Sequence, residues 1–147
     1  MLKPKSLVWL AVLCGFAASP GVLADGTRAR QNYLIYCMGC HGEKGEGFGE
    51  QVPSMRGSLA RLAALRDGRS FLLRVPGVTQ SSLDAELTAE VLNWTLLEFS
   101  EPEVLRSIPP ITAAEVEQAR SRPLLEISSL RARLLQGDKP DQESPGR

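Results

Sequence analysis

Cys37, Cys40 and His41 stand in the run Cys37-Met38-Gly39-Cys40-His41. Two thiols three positions apart fall on one helical turn. Each can form a thioether with one of the two vinyl groups on a porphyrin edge, and the imidazole of the next residue then lies beneath the iron as its proximal ligand. The run is the attachment signature of a covalently bound, c-type haem. His41 is the only histidine in the chain, so no second imidazole competes for the iron. Other chemistries fit these residues less well. A redox dithiol needs no histidine after it and sits beside a βαβ pattern, which is missing here. A structural zinc site needs four ligands. With Cys14 set aside, the chain supplies two cysteines and one histidine. A disulfide between Cys37 and Cys40 would leave His41 without a role. The expected cofactor is one haem c, attached through Cys37 and Cys40 and ligated by His41.

The N-terminus agrees with that chemistry. Lys3 and Lys5 form a basic start, Ser6 to Ala18 is apolar and uncharged, and Val22-Leu23-Ala24 supplies a small-x-small cleavage pattern before Asp25. Residues 1–24 therefore read as a secretory signal peptide, removed on export. Cys14 would leave with it, since Leu13 before it is too large for a lipoprotein signal. Pro20 and Gly21 interrupt the uncharged stretch, so its apolar core is shorter than the roughly 20 residues that a spanning helix needs. No stable membrane span is expected after cleavage. Covalent haem attachment takes place outside the bacterial cytoplasm, so the expected location is the periplasm.

Cleavage leaves roughly 120 residues, enough for one domain with one modest core. The whole chain carries 17 basic and 17 acidic residues; without Lys3 and Lys5 the balance is 15 to 17, slightly acidic. No basic cluster interleaves with aromatics, so nucleic acid is not an expected partner. Aromatics make up only 5% of residues, so a buried haem would supply much of the apolar interior.

Apolar periodicity predicts an all-α chain with no convincing strand. Thr27 to Tyr36 reads as a helix running into the motif. Gly42 to Gly49, with four glycines, reads as a loop, and Pro53 to Gly57 as a turn. A short amphipathic helix is expected over Ser58 to Arg66, stopping by Gly68. The apolar run Phe71 to Val75 should end at Pro76-Gly77. The strongest helical pattern spans Leu83 to Phe99, with Leu83, Leu87, Val91, Trp94 and Leu97 on its apolar face and Ser81 or Ser82 as cap. Thr112 and Glu115 form a capping box after Pro109-Pro110, starting a helix towards Arg122. Leu124 to Leu135 is a further helical pattern. The resulting organisation is a signal peptide over 1–24, a haem domain over 25–100, a helical extension over 101–136 and a disordered tail over 137–147.

From about Arg28 to Phe99 these residues resemble the class I cytochrome c family. The attachment motif is highly specific and the other matches are weaker. The resemblance implies an N-terminal helix, carrying the motif, that crosses a later helix with aromatic residues at the crossing. Tyr33 or Tyr36, and Trp94, would fill that role, and simple core packing would place Trp94 there equally well. Pro53-Ser54-Met55-Arg56-Gly57 is similar to the family's Pro-x-Leu-x-Gly run. The resemblance implies that the Pro53 carbonyl accepts the Nδ1–H of His41, fixing its tautomer and basicity. Gly45 and Gly47 look like the family's loop glycines.

The departure lies at the sixth iron ligand. Family members place a methionine in the loop before the last helix, and the comparable stretch, Arg74 to Leu83, has no Met, His or Lys. Beyond the signal the methionines are Met38, inside the motif, and Met55. Met55 reads either as a packing residue in place of leucine, a well-tolerated swap, or as the ligand. Lys44 is a remote third choice. Gln80, Ser81 and Ser82 are poor bases for peroxide chemistry, so the expectation is an electron carrier and not an enzyme. Arg69 and Arg74 read either as partners for haem propionates or as solvated surface charges.

Three functions follow. The first is an exported monohaem cytochrome that shuttles single electrons through a small, weak interface, with a dehydrogenase or a terminal oxidase as protein partner. The second is a five-coordinate haem protein that binds a small ligand. The third is a haem subunit of a larger periplasmic complex, which the extension over 101–136 would favour.

Overall fold

A computed structural model describes residues 21–49 and 51–137. The expected signal up to residue 20, Cys14 within it, and the tail from 138 lie outside the described residues. The helices run in the order α1 (Gly21–Tyr36), α2 (Met38–His41), α3 (Leu59–Ala64), α4 (Arg66–Arg74), α5 (Pro76–Thr79), α6 (Ala85–Phe99), α7 (Pro102–Leu105), α8 (Ala113–Arg120) and α9 (Ser128–Gly137). Among the described residues, strand-like pairing is confined to one bridge between Phe48 and Val52. The fold is all-α, as the periodicity predicts.

Helix α6 is the centre of the molecule. Its Val91 joins Tyr33 and Leu83 in one buried cluster. Its Ala89 and Leu96 join Ala63, Leu73, Ile111, Val116 and Ala119 in a second. A helix buried on two sides needs apolar residues beyond a single stripe. Leu96 accordingly lies in the core, whereas Leu97, placed on the apolar face by the sequence pattern, is 70% exposed. The cap also differs from expectation. Asp84, not Ser81 or Ser82, accepts the Leu87 N–H at 2.8 Å. An ionised carboxylate at this position satisfies an orphan donor and favours the helix dipole. The buried hydroxyls of Thr88 and Thr95 donate to the Asp84 and Leu92 carbonyls within the helix.

Gly68, a helix stop by its residue type, lies inside a helix instead. Helix α3 ends at the extended Leu65, and α4 begins one residue later. The two pack closely enough that a Cβ on Gly68 would sit 2.2 Å from the Leu62 carbonyl oxygen. Gly68 permits a close approach of two backbones. Pro76 does act as expected on α4: it holds Val75 extended at ψ 147° and then opens α5 at the first helical position.

The segment after Ser100 is built into the core. Val116 is fully buried and Ile111 nearly so. The Asn93 side chain forks onto the backbone of Ile111, donating to its carbonyl at 2.8 Å and accepting its N–H at 2.7 Å. The predicted capping box of α8 is formed by Thr112 and Glu115. Arg120 reaches back to the Leu83 carbonyl and the Thr88 hydroxyl. Helix α9 starts later than its sequence pattern, at Ser128; the chain before it is tied down where Leu124 N–H meets the Arg74 carbonyl at 2.9 Å.

Arg69 does not stand free for a propionate, whereas Arg74 is held at Nε alone. Arg69 forks onto Glu115 at 2.7 and 2.9 Å and donates to the Pro109 and Pro110 carbonyls. Arg74 Nε donates to the Arg122 carbonyl at 2.6 Å. The hydrogen bonds from Arg69, reinforced by Thr112, hold the Glu115 carboxyl at about 2, well below 4.5.

Two outcomes are expected. In Gly68→Ala, the better helix propensity of alanine is worth about 1 kcal/mol, but the clash with an unyielding carbonyl costs about 1–3 kcal/mol. Urea unfolding should therefore show net destabilisation. A carboxyl with a depressed pKa stabilises the fold above its unfolded value and loses that effect as pH falls through its folded value. Melting curves of the native chain and Glu115→Gln should therefore differ at neutral pH and converge between about 4.5 and about 2.

Candidate haem-attachment site

The motif is held in place by Tyr33. This side chain is fully buried, one turn before Cys37 on the inward face of α1, with Ala29 one turn further back. Its ring lies 5.1 Å from Trp94 and 5.4 Å from Phe99, and Trp94 and Phe99 meet edge-on at 5.7 Å. Such pairs contribute about 0.5–1.5 kcal/mol each beyond area burial. The aromatic residue at the α1–α6 contact is thus Tyr33 with Trp94, while Tyr36 is 49% exposed. The Tyr33 hydroxyl donates to the Gly42 carbonyl, just past the motif. Burial, then the neighbouring Cys37 and Glu46, push its phenol up to about 12. It remains a neutral donor throughout the ordinary pH range.

The motif forms a single turn. Helix α1 breaks at Cys37, and the Cys40 and His41 N–H groups then bond to the Cys37 carbonyl at 3.2 and 3.0 Å. Cys37 is half-buried against the Tyr33–Leu83–Val91 cluster, and Cys40 is exposed. Both thiols are free. Burial pushes the Cys37 thiol up to about 11, with Cys40 adding to it. A dithiol oxidoreductase needs the opposite, a depressed nucleophilic thiolate.

The glycine loop folds back beneath His41. Gly42, at φ 76°, closes α2 by donating to the Met38 carbonyl. Gly47 N–H bonds to the His41 carbonyl at 2.8 Å, and the buried Gly45 offers its carbonyl to Met55 N–H at 2.9 Å. The two glycines singled out by sequence each have a steric reason. Both have positive φ. A Cβ on Gly45 would strike the Phe99 ring, and one on Gly47 would sit 2.2 Å from the Val52 carbonyl oxygen.

His41 differs from expectation in one respect. The anticipated hydrogen bond from Nδ1 to the Pro53 carbonyl is not made; Nδ1 is buried without a partner. Burial also lowers the pKa of the ring, favouring the neutral form that binds metals. A buried, unpartnered imidazole nitrogen beside two free thiols fits a ring whose orientation is set by a covalently attached group. Side chains beside and within the motif agree: Ile35 is 70% exposed and Met38 36%, so apolar surface lies open there. The donor set therefore fits a c-type haem. Among the described residues, no three His, Cys, Asp or Glu side chains gather in a metal-binding arrangement of their own.

Tyr36 forms one wall of a cleft of about 330 Å³ whose other side is Pro76, Gly77, Gln80, Ser81 and Ser82. This is the stretch in which no methionine occurs. Met55 is not among the lining residues; it packs against the cluster of Tyr33, Leu83 and Val91 together with Trp94 and Phe99. Lys44 is exposed in the glycine loop. Sequence reasoning missed the tyrosine hydroxyl bond and the position of Phe99. The spacing of Tyr33 four residues before Cys37 was visible, but its hydrogen-bond partner is a backbone atom that leaves no mark in residue types.

The chain is similar to a cytochrome c-552 of Thermus thermophilus, at 28% identity over 82% of this chain and 88% of that protein. A second cytochrome c-552, also from Thermus thermophilus, is 28% identical over 69% of this chain and 88% of its own length. No protein-family model and no solved structure matches. The chain is a small all-α domain, and both curated proteins to which it is similar are cytochromes c.

Removing the Tyr33 hydroxyl should loosen the turn that carries the motif. Tyr33→Phe is expected to lose about 0.5–1.5 kcal/mol and Tyr33→Ala about 3–5 kcal/mol, read from urea unfolding followed by circular dichroism.

Proposed function

We propose that this chain is an exported c-type cytochrome that carries one haem and passes single electrons between protein partners. The observation that carries the proposal is the juxtaposition of free Cys37 and Cys40 with the buried, unpartnered Nδ1 of His41, on a turn fixed by Tyr33. Cys37 and Cys40 would hold the haem as thioethers and His41 would ligate its iron. The bound group would supply a one-electron Fe(III)/Fe(II) couple. The work of the protein is positional: α1 and α6 fix the turn, and the glycine loop holds His41 through the Gly47 N–H to its carbonyl. The similarity to proteins named cytochrome c-552 supports the same reading. The N-terminal pattern supports export to the periplasm with cleavage before Asp25. No described helix is long and apolar enough to cross a membrane. The redox partner would be a dehydrogenase or a terminal oxidase, or a larger complex that keeps the chain as its haem subunit.

A second reading has an observation of its own. Met55 packs against the Tyr33–Leu83–Val91 cluster and is absent from the Tyr36–Gln80 cleft. In that packing role Met55 would stand in for a leucine, and a haem held by Cys37, Cys40 and His41 would then offer its iron to a small ligand.

Mass spectrometry of the denatured protein should show one covalent haem in the native chain and none in Cys37→Ser/Cys40→Ser. Absence of a covalent adduct from the native chain, expressed with haem-attachment machinery, would overturn the proposal. Optical spectra of the reduced protein with and without carbon monoxide then separate the two readings. No shift means a sixth protein ligand and outer-sphere electron transfer. A shift means an open site.

A further inference from the structure

Away from the motif, helices α4 and α8 enclose a groove of about 370 Å³. Its floor is apolar, formed by Leu73 and Ala119, and its walls are cationic: Arg66, Arg69 and Arg74 from α4, and Arg122 just beyond α8. The spacing explains the convergence. Positions 66, 69, 70, 73 and 74 recur at helical period on one face of α4, and 115, 118, 119 and 122 do so from α8. Four guanidiniums meet one carboxylate, Glu115, a surplus of three positive charges. Glu115 is already satisfied by Arg69 and Thr112. The Arg66 and Arg122 side chains make no hydrogen bond or ion pair among the described residues. Arg74 uses only Nε, leaving its two terminal nitrogens.

The surplus is local. From Arg56 to Arg74 five arginines run with a single acid, Asp67, whereas from Asp84 to Glu103 six acids run with no base, in a chain of zero formal charge. Like charges gathered in a concavity repel one another unless an anion lies between them. Guanidinium forks match the paired oxygens of phosphate-type groups.

We propose that the α4–α8 groove binds a small, multiply charged oxyanion of the phosphate class, gripped by Arg66, Arg74 and Arg122. Arg69 is a positioning residue here: its bonds to Glu115, Pro109 and Pro110 set the distance between the two walls. The groove is concave and small, which suits a soluble anion better than a flat surface. The site is independent of the haem reading, because none of its residues belongs to the motif or its supporting loop.

The test is calorimetric titration of the full chain, as purified, with pyrophosphate and with inorganic phosphate, at constant ionic strength in chloride so that general screening is held fixed. Saturable binding is expected, stronger for pyrophosphate, with a matching rise in melting temperature. Arg66→Gln/Arg122→Gln should weaken it at least about tenfold. Those two side chains hold nothing else, so the melting temperature of the variant without anion should equal or exceed that of the native chain. Absence of saturable binding, or equal binding by the variant, would overturn the proposal. A phosphate headgroup presents the same chemistry on a membrane. Cosedimentation with phosphatidic acid vesicles, lost in the variant and unaccompanied by any response to soluble anions, would overturn the soluble-ligand assignment. None of these readouts involves electron transfer, so failure here leaves the cytochrome reading standing, and the reverse also holds.

Discussion

The buried phenol of Tyr33 joins three parts of the molecule that the sequence keeps apart. Its ring lies against Trp94 and Phe99 of α6, its backbone begins the last turn of α1, and its hydroxyl reaches the Gly42 carbonyl beyond the motif. Cys37, Cys40 and His41 lie between those two anchor points, so their positions follow from packing at the helix contact. Phe99 carries the same constraint to the glycine loop, since Gly45 can approach its ring only without a side chain. A site that depends on this contact is as rigid as the aromatic cluster, which suits a role in which the protein holds a group still and does no chemistry with its own side chains.

Features that depend on short-range rules were legible in the sequence. The motif, the capping box of Thr112 and Glu115, the glycine loop and the break at Pro76 each follow from a few adjacent residues, and the fold class follows from apolar periodicity. The differences have a common origin in close packing between segments. Gly68 reads as a stop until the Leu62 carbonyl is seen against it. Leu96 and Leu97 exchange roles because α6 is covered from two sides. Asp84 outcompetes two serines as cap because the helix starts later than the apolar pattern. Arg69 and Arg74 read as available charges because their acceptors, Glu115 and three backbone carbonyls, lie 40 or more residues away. The unpartnered Nδ1 of His41 could not be read at all, since a missing hydrogen bond has no signature in residue types.

Methionine is the residue at this site with two uses. A thioether is soft enough to ligate iron and apolar enough to fill a core, and the two uses call for the same residue. Its packing against the Tyr33–Leu83–Val91 cluster is a use of Met55 that needs no metal. The cleft beside Tyr36 is lined on its far side by small and polar residues that are weak donors to iron. Packing and ligand supply thus make separate demands on different stretches of the chain, and one methionine lies closer to the first.

The fork from Asn93 to the Ile111 backbone has a consequence for the order in which the molecule can be made. Both polar groups of this side chain point at a segment that follows it by 18 positions, and the Leu73–Ala89–Leu96 cluster is closed only by Ile111, Val116 and Ala119. While the chain emerges N-terminus first, the turn bearing Cys37 and Cys40 is exposed well before the groups that lock the interior have appeared. The thiols pass through a period in which α1 and α2 can form but the core beneath α6 is unfinished. The turn is therefore accessible before the interior is complete, and the arrival of α8 ends that interval.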